Sequence, residues 1–407
     1  MKMVNLSPLD ILSTYWSEGN PAKNPLKDRF NEGLTWDSLV GNGYISEISP
    51  LLYSIIEKTD TYHETINKTL REKLKNIYRR FIVPNMLLHD ELARLLKDLQ
   101  DAEVKVIVLK GAALAKTVYG NIALRPMGDI DLLVSEEDLD RAKEVLLKLE
   151  FKKLEHHNLR DQLDGHPFHI EFVKEDTQGA IIELHWGIAR KPADVEIAGL
   201  LQRAVMVRSN NIDTCVMCPD DLLPFLCWHT ANHLFPKLLW LCDIAQVIKV
   251  YEKSINWKNV IERSENWKIK KAVYCSLYLA ENILGAQVPE KVLLRLQPSN
   301  IEKRLFQFVI LNMEYKEGII QTSNRFLIIA LKLLIIDRFK DRLFFFFKYI
   351  WDLVLPNIPY IKVRYSVSNP KLARLYQLIH PFNLIYESIL WTIEIITKRR
   401  FGIRRGI

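Results

Sequence analysis

The chain of 407 residues is long enough for two or three domains, at roughly 150 residues per domain. Its composition, with 48% hydrophobic and 26% charged residues, is that of a globular protein and excludes a disordered or fibrous one. The net charge of +7 is concentrated near one end, because the segment from Phe326 to Ile407 carries 14 Lys and Arg against five Asp and Glu. Such a segment could contact RNA or an anionic membrane face, but a solvated helical surface is the preferred interpretation.

The five cysteines are too few and too irregularly spaced for a disulfide framework. The first residues include Asp10 and lack the apolar run of a signal peptide. The two most apolar stretches near the C-terminus are too short for a bilayer span of roughly 18 to 20 uncharged residues, because Lys348 interrupts the first and Glu387 and Glu394 the second. We therefore predict a cytoplasmic protein without a transmembrane segment. Buried C-terminal helices are the preferred interpretation of these stretches, and a peripheral membrane contact is the alternative.

The first elements along the chain are helical. Apolar residues recur at three- and four-residue spacing through residues 34–100, and the last of these helices is expected to begin at Pro84. The β-branched run at residues 104–109 is too short for a helix and predicts a buried strand that ends at Gly111. Residues 112–119 then predict a short helix.

Three further strands are predicted, at residues 130–134, 169–173 and 180–186. A helix with a capping sequence is expected at residues 135–149, between the first two of these strands. The polar loop at residues 174–179 joins the last two strands as a hairpin. From about residue 194 onward the pattern is nearly all helical.

This order of elements predicts an α+β fold with three parts. A small mixed β-sheet with flanking helices forms the core, at residues 101–190. It is embedded between a helical N-terminal segment, residues 1–100, and a larger all-α C-terminal domain with a basic tail, residues 191–407.

Acidic residues in the predicted sheet carry the chemistry. Asp129 and Asp131 are two residues apart, so their side chains lie on the same face of a strand and repel each other unless a cation lies between them. Mg²⁺ prefers such oxygen ligands, and Mn²⁺ is the alternative ion. Glu183 lies in another apolar strand and is the candidate third carboxylate, with Glu171 as the competing candidate. A turn and cap pair is the structural alternative for the aspartates, and a solvated sheet face is the alternative for the glutamates.

A phosphate site is expected next to these acids. Gly111 lies where a strand gives way to a helix, and the free backbone N–H groups of a helix start favour a phosphate. Lys110 and Arg125 are the cations expected to bind this phosphate. The alternative for Lys110 is a solvated position at the end of a strand, and the alternative for Arg125 is a salt bridge to one of the acids beside it. His185 lies on the same strand face as Glu183, so it is expected either behind the metal ligands or beside the acceptor.

Five segments, in this order, carry a resemblance to a known group. They are Leu109-Lys110-Gly111, Arg125-Pro126-Met127-Gly128-Asp129-Ile130-Asp131-Leu132-Leu133-Val134, Glu183-Leu184-His185-Trp186, His229-Thr230-Ala231-Asn232-His233 and Trp240-Leu241-Cys242-Asp243-Ile244-Ala245. The arrangement resembles the DNA polymerase β-type nucleotidyltransferase superfamily, and within it a bacterial family of largely uncharacterised nucleotidyltransferases. The resemblance covers roughly residues 35–390.

This resemblance implies a metal-dependent enzyme that transfers a nucleoside monophosphate from a nucleoside triphosphate to an acceptor and releases pyrophosphate. ATP is one of the expected donors. It implies that Asp129 and Asp131 bind two metal ions and that Glu183 helps to activate the acceptor. It also places the triphosphate against the Gly111 turn. Ala112 stands where the superfamily usually has Ser or Gly after that glycine, so a hydroxyl that would contact a phosphate is missing. Lys110 and Arg125 are expected to compensate for it as cations that bind the triphosphate.

The acceptor stays open. We favour a small molecule or a peptide, because the sequence has no recognised RNA-binding motif and its basic C-terminal residues alternate with large apolar ones. RNA bound along that basic segment is one alternative. A non-catalytic binding or scaffold protein on the same fold is the other.

Overall fold

The computed structural model describes residues 6–17, 25–40, 47–154, 168–174, 180–189, 193–209, 212–316, 319–322, 324–383 and 386. The chain forms two compact units. The larger comprises Met1–Glu155 and His166–Arg338, and among the described residues the smaller comprises 339–383 and 386.

Helices make up most of both units. In the larger unit they are α1 (Pro8–Trp16), α2 (Pro25–Gly33), α3 (Trp36–Val40), α4 (Ser49–Lys58), α5 (Asp60–Thr65), α6 (Lys68–Asp101), α7 (Lys110–Thr117), α8 (Leu139–Lys148), α9 (Ile197–Arg203), α10 (Pro219–Asn232), α11 (Leu238–Val250), α12 (Trp257–Asn266), α13 (Lys270–Leu284), α14 (Glu290–Leu296), α15 (Asn300–Leu311) and α16 (Arg325–Leu334). The smaller unit contains α17 (Phe339–Val354) and α18 (Ile358–Arg364).

A mixed sheet of seven strands, in the order β3-β4-β5-β2-β1-β7-β6, lies within the larger unit. Its strands are β1 (Ile107–Val108), β2 (Asp129–Leu133), β3 (Lys152–Lys153), β4 (His169–Val173), β5 (Ile181–His185), β6 (Val205–Ser209) and β7 (Ile212–Val216). A separate hairpin consists of β8 (Glu314–Lys316) and β9 (Ile319–Gln321). The predicted small mixed sheet with flanking helices is thus observed.

The strand β2 lies in the middle of the sheet and positions the acids. It runs antiparallel to β1 and parallel to β5. Ile130 and Leu132 are fully buried on one face, in a cluster with residues of α6 and α8. Leu133 is buried in the cluster on the other face, the one toward which Asp129 and Asp131 also point. The alternation expected for this strand is confirmed.

The prediction that a helix begins at Pro84 is wrong. The helix α6 starts at Lys68, where the Asn67 side chain accepts a hydrogen bond of 2.7 Å from the Thr69 backbone N–H. Proline lacks an amide hydrogen and usually ends a helix. Here the helix continues through it, and Leu74 in the first half is as fully buried as Leu95 in the second half. Tertiary packing therefore outweighs the local preference of proline.

The sheet also contains strands from beyond residue 190. The hairpin of β6 and β7 interrupts the helical pattern expected there, and β7 pairs in parallel with β1. The predicted hairpin of β4 and β5 is observed as an antiparallel pair, while residues 175–179 of its loop lie outside the described residues.

No helix in the described part of the chain is long and apolar enough to cross a membrane. In the smaller unit, none of the residues of α17 is buried, contrary to the buried C-terminal helices preferred from sequence. The basic residues after Tyr386 lie outside the described residues.

Candidate functional site

Two carboxylates on adjacent strands form the centre of the site. Asp131 of β2 is paired in register with Glu183 of β5, so their side chains lie next to each other on one face. Asp131 is only 2% exposed, which makes an unneutralised charge there costly. The Lys110 ammonium neutralises it, with Nζ 2.6 Å from Asp131 Oδ1 and 3.8 Å from Glu183 Oε2.

His185 joins the same two carboxylates from the end of β5. Its Nε2 lies 3.1 Å from Asp131 Oδ1 and 3.2 Å from Glu183 Oε2, so an Nε2–H group donates to both. Burial by itself would lower the pKa of His185, but its hydrogen bonds to Asp131 and Glu183 outweigh burial and raise the pKa. The imidazole therefore helps to keep Asp131 ionised.

The Lys110 and Asp131 charges stabilise each other. Burial would raise the pKa of Asp131, but the Lys110 ammonium and the hydrogen bond from His185 hold it well below its usual range. Burial would likewise lower the pKa of Lys110, and the charges of Asp131 and Glu183 raise it instead. Both groups are therefore charged at neutral pH.

Asp129 is the acid without a direct ion-pair partner, although the charges of Lys110 and Arg125 partly offset those of the neighbouring acids. It lies at the start of β2 on the face of Asp131, and among the described residues its side chain makes no hydrogen bond or ion pair. Burial, with the charges of Asp131 and Glu183, raises the pKa of Asp129 to about 6. A half-buried carboxylate of this kind is suited to receive a cation.

The residue before the glycine turn has a strained backbone. Lys110, the first residue of α7, has a φ of 38°, in the left-handed region that costs a non-glycine residue roughly 1 to 2 kcal/mol. The Leu109 N–H just before it donates to the Asp131 carbonyl oxygen at 2.9 Å. This bond and the Lys110–Asp131 ion pair hold the strained start of α7 against β2.

Gly111 is required by the close approach of Arg125. A Cβ atom at this position would lie 2.5 Å from Arg125 Nη1 and 3.2 Å from Met127 Cγ. Neither distance is compatible with an undisturbed side chain, so the absence of a Cβ lets the guanidinium pack against the first turn of α7.

Arg125 is bound to a distant acid. Its Nη2 lies 2.9 Å from Asp243 Oδ2 and its Nε lies 3.3 Å from Asp243 Oδ1, and both side chains are buried. Tyr119 donates its hydroxyl to Asp243 Oδ1 at 2.8 Å. The carbonyl oxygen of Arg125 accepts a 3.1 Å hydrogen bond from Asn85 of α6. A buried network thus joins the loop before β2 to α6 and α11.

A second group of candidate ligands adjoins the first. Glu171 of β4 is paired in register with Glu183, and His169 with His185. Among the described residues, two sets could each hold a metal ion, since their ligand atoms lie within 4.8 Å of one another. Asp131, Glu183 and His185 form one set, and His169, Glu171 and Glu183 form the other. His169 Nε2 lies 3.6 Å from Glu171 Oε1. Glu183 is common to both sets.

The structure brings most of the predicted site residues together. Those in direct contact are Lys110, Asp131, Glu183 and His185, with Asp129 and Gly111 beside them. Ala112 is buried in the cluster on the opposite face of the sheet, and Arg125 faces Asp243. Whether each of these residues has its predicted role stays a prediction.

Sequence reasoning missed His169 as a candidate ligand and Asp243 as the partner of Arg125. His169 could have been found, because it lies two residues before Glu171 in an apolar strand, as Glu183 lies two before His185. The pairing of Arg125 with Asp243 has no such local pattern.

Comparison with known proteins gives a family. One solved structure that resembles the chain is that of an antigenic nucleotidyltransferase-like protein from Paracoccidioides brasiliensis, which is 14% identical with a TM-score of 0.31 and matches over 51% of this chain and 95% of that one. No curated protein matches. The model of a family described as uncharacterised nucleotidyltransferase matches residues 33–285, a range that contains the whole candidate site. Because this match spans more than half of the sequence, the chain belongs to that nucleotidyltransferase family.

Proposed function

We propose that the protein is a metal-dependent enzyme that transfers a nucleoside monophosphate from a nucleoside triphosphate to an acceptor and releases pyrophosphate. The observation that carries the proposal is the placement of Asp131 beside Glu183, with the unpaired Asp129 on the same face. Family membership supports the reaction class. A place in the polymerase β-type superfamily and a bacterial origin are parts of the proposal.

The residues present fit a divalent cation. Asp129, Asp131 and Glu183 offer the carboxylate oxygens that Mg²⁺ prefers, and the nearby imidazole of His185 also suits Mn²⁺. When bound, the metal, with two ions proposed, supplies a Lewis acid that lowers the pKa of the acceptor hydroxyl and neutralises charge on the triphosphate. The three acids themselves select for a cation at their face of the sheet, and that cation would offset their repulsion of the triphosphate.

Lys110 is proposed as the ligand of the triphosphate. Its ammonium is the cation nearest to the two carboxylates, and it begins the helix whose first backbone N–H groups are free for a phosphate. Gly111 and Ala112 would contribute those N–H groups. A lysine ammonium is a compact charge on a flexible stem, which suits a polyphosphate that must bind and leave.

Arg125 is better suited to positioning than to phosphate binding. Its ion pair with Asp243 and its contact with Gly111 support a role in holding the start of α7 in place. The predicted contact of Arg125 with the triphosphate stays a prediction.

The geometry favours Glu183 over Glu171 as the third carboxylate. Glu183 is the direct neighbour of Asp131 and shares His185 with it, while Glu171 lies one strand further out. An acceptor oxygen near Asp131 and Glu183 would be deprotonated there and attack the α-phosphate in line. A small-molecule or peptide acceptor is proposed, with RNA as the alternative.

The experiment follows a label on the α-phosphate. The full-length protein is incubated with Mg²⁺ or Mn²⁺, each α-labelled nucleoside triphosphate in turn, and an extract of small metabolites and peptides or purified RNA. We expect label to pass to one acceptor class and pyrophosphate to be released, with a loss of at least about a hundredfold in Asp131→Asn. The matched control is Asp140→Asn, whose side chain is 90% exposed on α8.

Two results would contradict the proposal. Transfer of label from the γ-phosphate instead of the α-phosphate would indicate a phosphoryl transferase. A rise in Tm with Mg²⁺ and nucleoside triphosphate, but no transfer to any acceptor, would favour the non-catalytic binding protein.

A further inference from the structure

A cavity lies on the face of the sheet opposite to the carboxylates. Val108 of β1 is paired with Leu132 of β2 and with Val216 of β7, and all three side chains are buried in the cluster away from Asp131. The cavity opens beside them, between α6, α7 and the hairpin of β6 and β7. It is a hollow open to solvent on one side, and about 420 Å³ of empty space lies in and directly in front of it, open solvent included. It is therefore separate from the candidate active site.

The walls of the cavity are mostly aliphatic. Leu92 and Leu96 of α6, Ala112 and Ala113 of α7, and Val216 of β7 contribute apolar surface. An apolar group that enters such a space gains roughly 25 cal/mol for each Å² removed from water. The walls thus favour a ligand with a hydrocarbon body.

Two nitrogen-bearing side chains at the cavity lack partners. His89 Nε2 is buried and has no hydrogen-bond partner. Lys116 of α7 forms no ion pair within the described ranges. The acid whose charge reaches His89 is Asp90, its neighbour on α6, which is exposed. A buried polar atom without a partner costs about 1 to 3 kcal/mol, so the present state is unfavourable for His89.

The electrostatics of the cavity favour an anion. Burial and the nearby Lys116 charge lower the pKa of His89 to about 4, so the imidazole is neutral at pH 7 and carries one N–H donor. Burial also lowers the pKa of Lys116, since no acid offsets the loss of water. A cationic ligand would be repelled by Lys116, and a neutral ligand would leave the ammonium without a counter-charge.

We propose that this cavity binds a small carboxylate with an apolar body. The carboxylate accepts hydrogen bonds from the Lys116 ammonium and from the His89 imidazole, and its hydrocarbon part packs against the aliphatic walls. Lys116 is a single cation among apolar walls, so the cavity suits a ligand with one negative charge. A polyphosphate would bring several negative charges, of which Lys116 could neutralise only one. The ligand also contacts α7, the helix that begins with Lys110. This site is independent of the proposed transferase activity.

The test measures binding of matched acids and amides. Titration calorimetry on the full-length protein compares butanoate, hexanoate and benzoate with the corresponding neutral amides. At least one acid should bind tenfold or more tightly than its amide. Lys116→Gln should raise the Kd of that acid at least tenfold, and His89→Phe about threefold to tenfold. Lys97→Gln, an exposed lysine change on α6, should leave the Kd unchanged.

A second variant and a fold measurement keep the test decisive. Ala113→Leu fills the cavity and should abolish binding, while circular dichroism and Tm show that each variant remains folded. The proposal is overturned if no acid binds at concentrations of about 10 mM. It is also overturned if the acid and its amide bind equally, or if Lys116→Gln and Ala113→Leu bind as the unaltered protein does.

Discussion

Replacing Asp129 by Asn should stabilise the metal-free protein, whereas replacing Asp131 by Asn should destabilise it. Burial and the charges of Asp131 and Glu183 raise the pKa of Asp129 from 3.8 to about 6. A carboxyl with a raised pKa binds its proton more tightly in the folded chain. Protonation of Asp129 therefore contributes to the free energy of unfolding. This contribution is complete below about pH 4 and is lost as the pH rises through about 6. The neutral amide of Asn avoids that loss at pH 7 and above.

The pKa shift sets the size of the effect. Since one pKa unit corresponds to about 1.36 kcal/mol, Asp129→Asn should add about 3 kcal/mol at pH 7.5 and about half of that at pH 5. For a unit of about 330 residues, 3 kcal/mol corresponds to a rise in Tm of about 4 °C. Asp131→Asn removes the closer counter-charge of Lys110 and leaves it only Glu183, 3.8 Å away, and breaking such a buried pair costs up to about 3 to 5 kcal/mol.

Differential scanning calorimetry in a chelator, at pH 7.5 and pH 5, measures both changes on the full-length protein. The control variant, Asp140→Asn, alters an exposed carboxylate and should leave the Tm unchanged. Adding Mn²⁺ should raise the Tm of the unaltered protein more than that of Asp129→Asn. A lower Tm for Asp129→Asn, or a rise that is as large at pH 5 as at pH 7.5, would refute the assignment of an unpaired, partly desolvated carboxylate.

Three further predictions concern the surroundings of the acids. Asp243→Asn should lower the free energy of unfolding in urea by about 3 to 5 kcal/mol, because it leaves Arg125 buried without a counter-charge. The double variant Arg125→Met with Asp243→Leu should recover most of that loss, and an equal loss in both variants would contradict the buried pair. Gly111→Ala should lower the Tm, since its Cβ would lie 2.5 Å from Arg125 Nη1, and a double-mutant cycle with Arg125→Met should show coupling rather than additivity. The affinity for Mn²⁺ should fall about tenfold per pH unit below pH 6, because Asp129 must lose its proton to bind the ion; calorimetric titrations from pH 5 to 7 that show a constant affinity would argue against Asp129 as a ligand.

Alternation along single strands was enough to predict much of the site. Residues two apart point to the same side of a strand, which placed Asp129 with Asp131 and Glu183 with His185 before any pairing was known. The register between neighbouring strands could not be predicted in this way. That Asp131 lies opposite Glu183, with Glu171 beyond it, depends on backbone pairing of distant segments, which periodicity within one strand does not encode.

The long-range partners were beyond local patterns. Arg125 and Asp243 are 118 residues apart, and the sequence offered Arg125 only the acids beside it or a phosphate. The prediction of where α6 begins failed for a related reason. Pro84 is a local stop signal, and the packing of buried residues on both sides of it overrides that signal. Contacts across the fold decided both outcomes.

The ion pair of Arg125 with Asp243 has a consequence for how the chain can be divided. A fragment that ends at residue 190 would keep all three candidate metal-binding acids. It would lose Asp243, and with it the counter-charge of a buried guanidinium and the acceptor of the Tyr119 hydroxyl. It would also lose β7, the strand that pairs with β1. The sheet and the helices that follow it are therefore expected to fold as one unit, and an excised sheet would be an unstable polypeptide rather than a minimal enzyme.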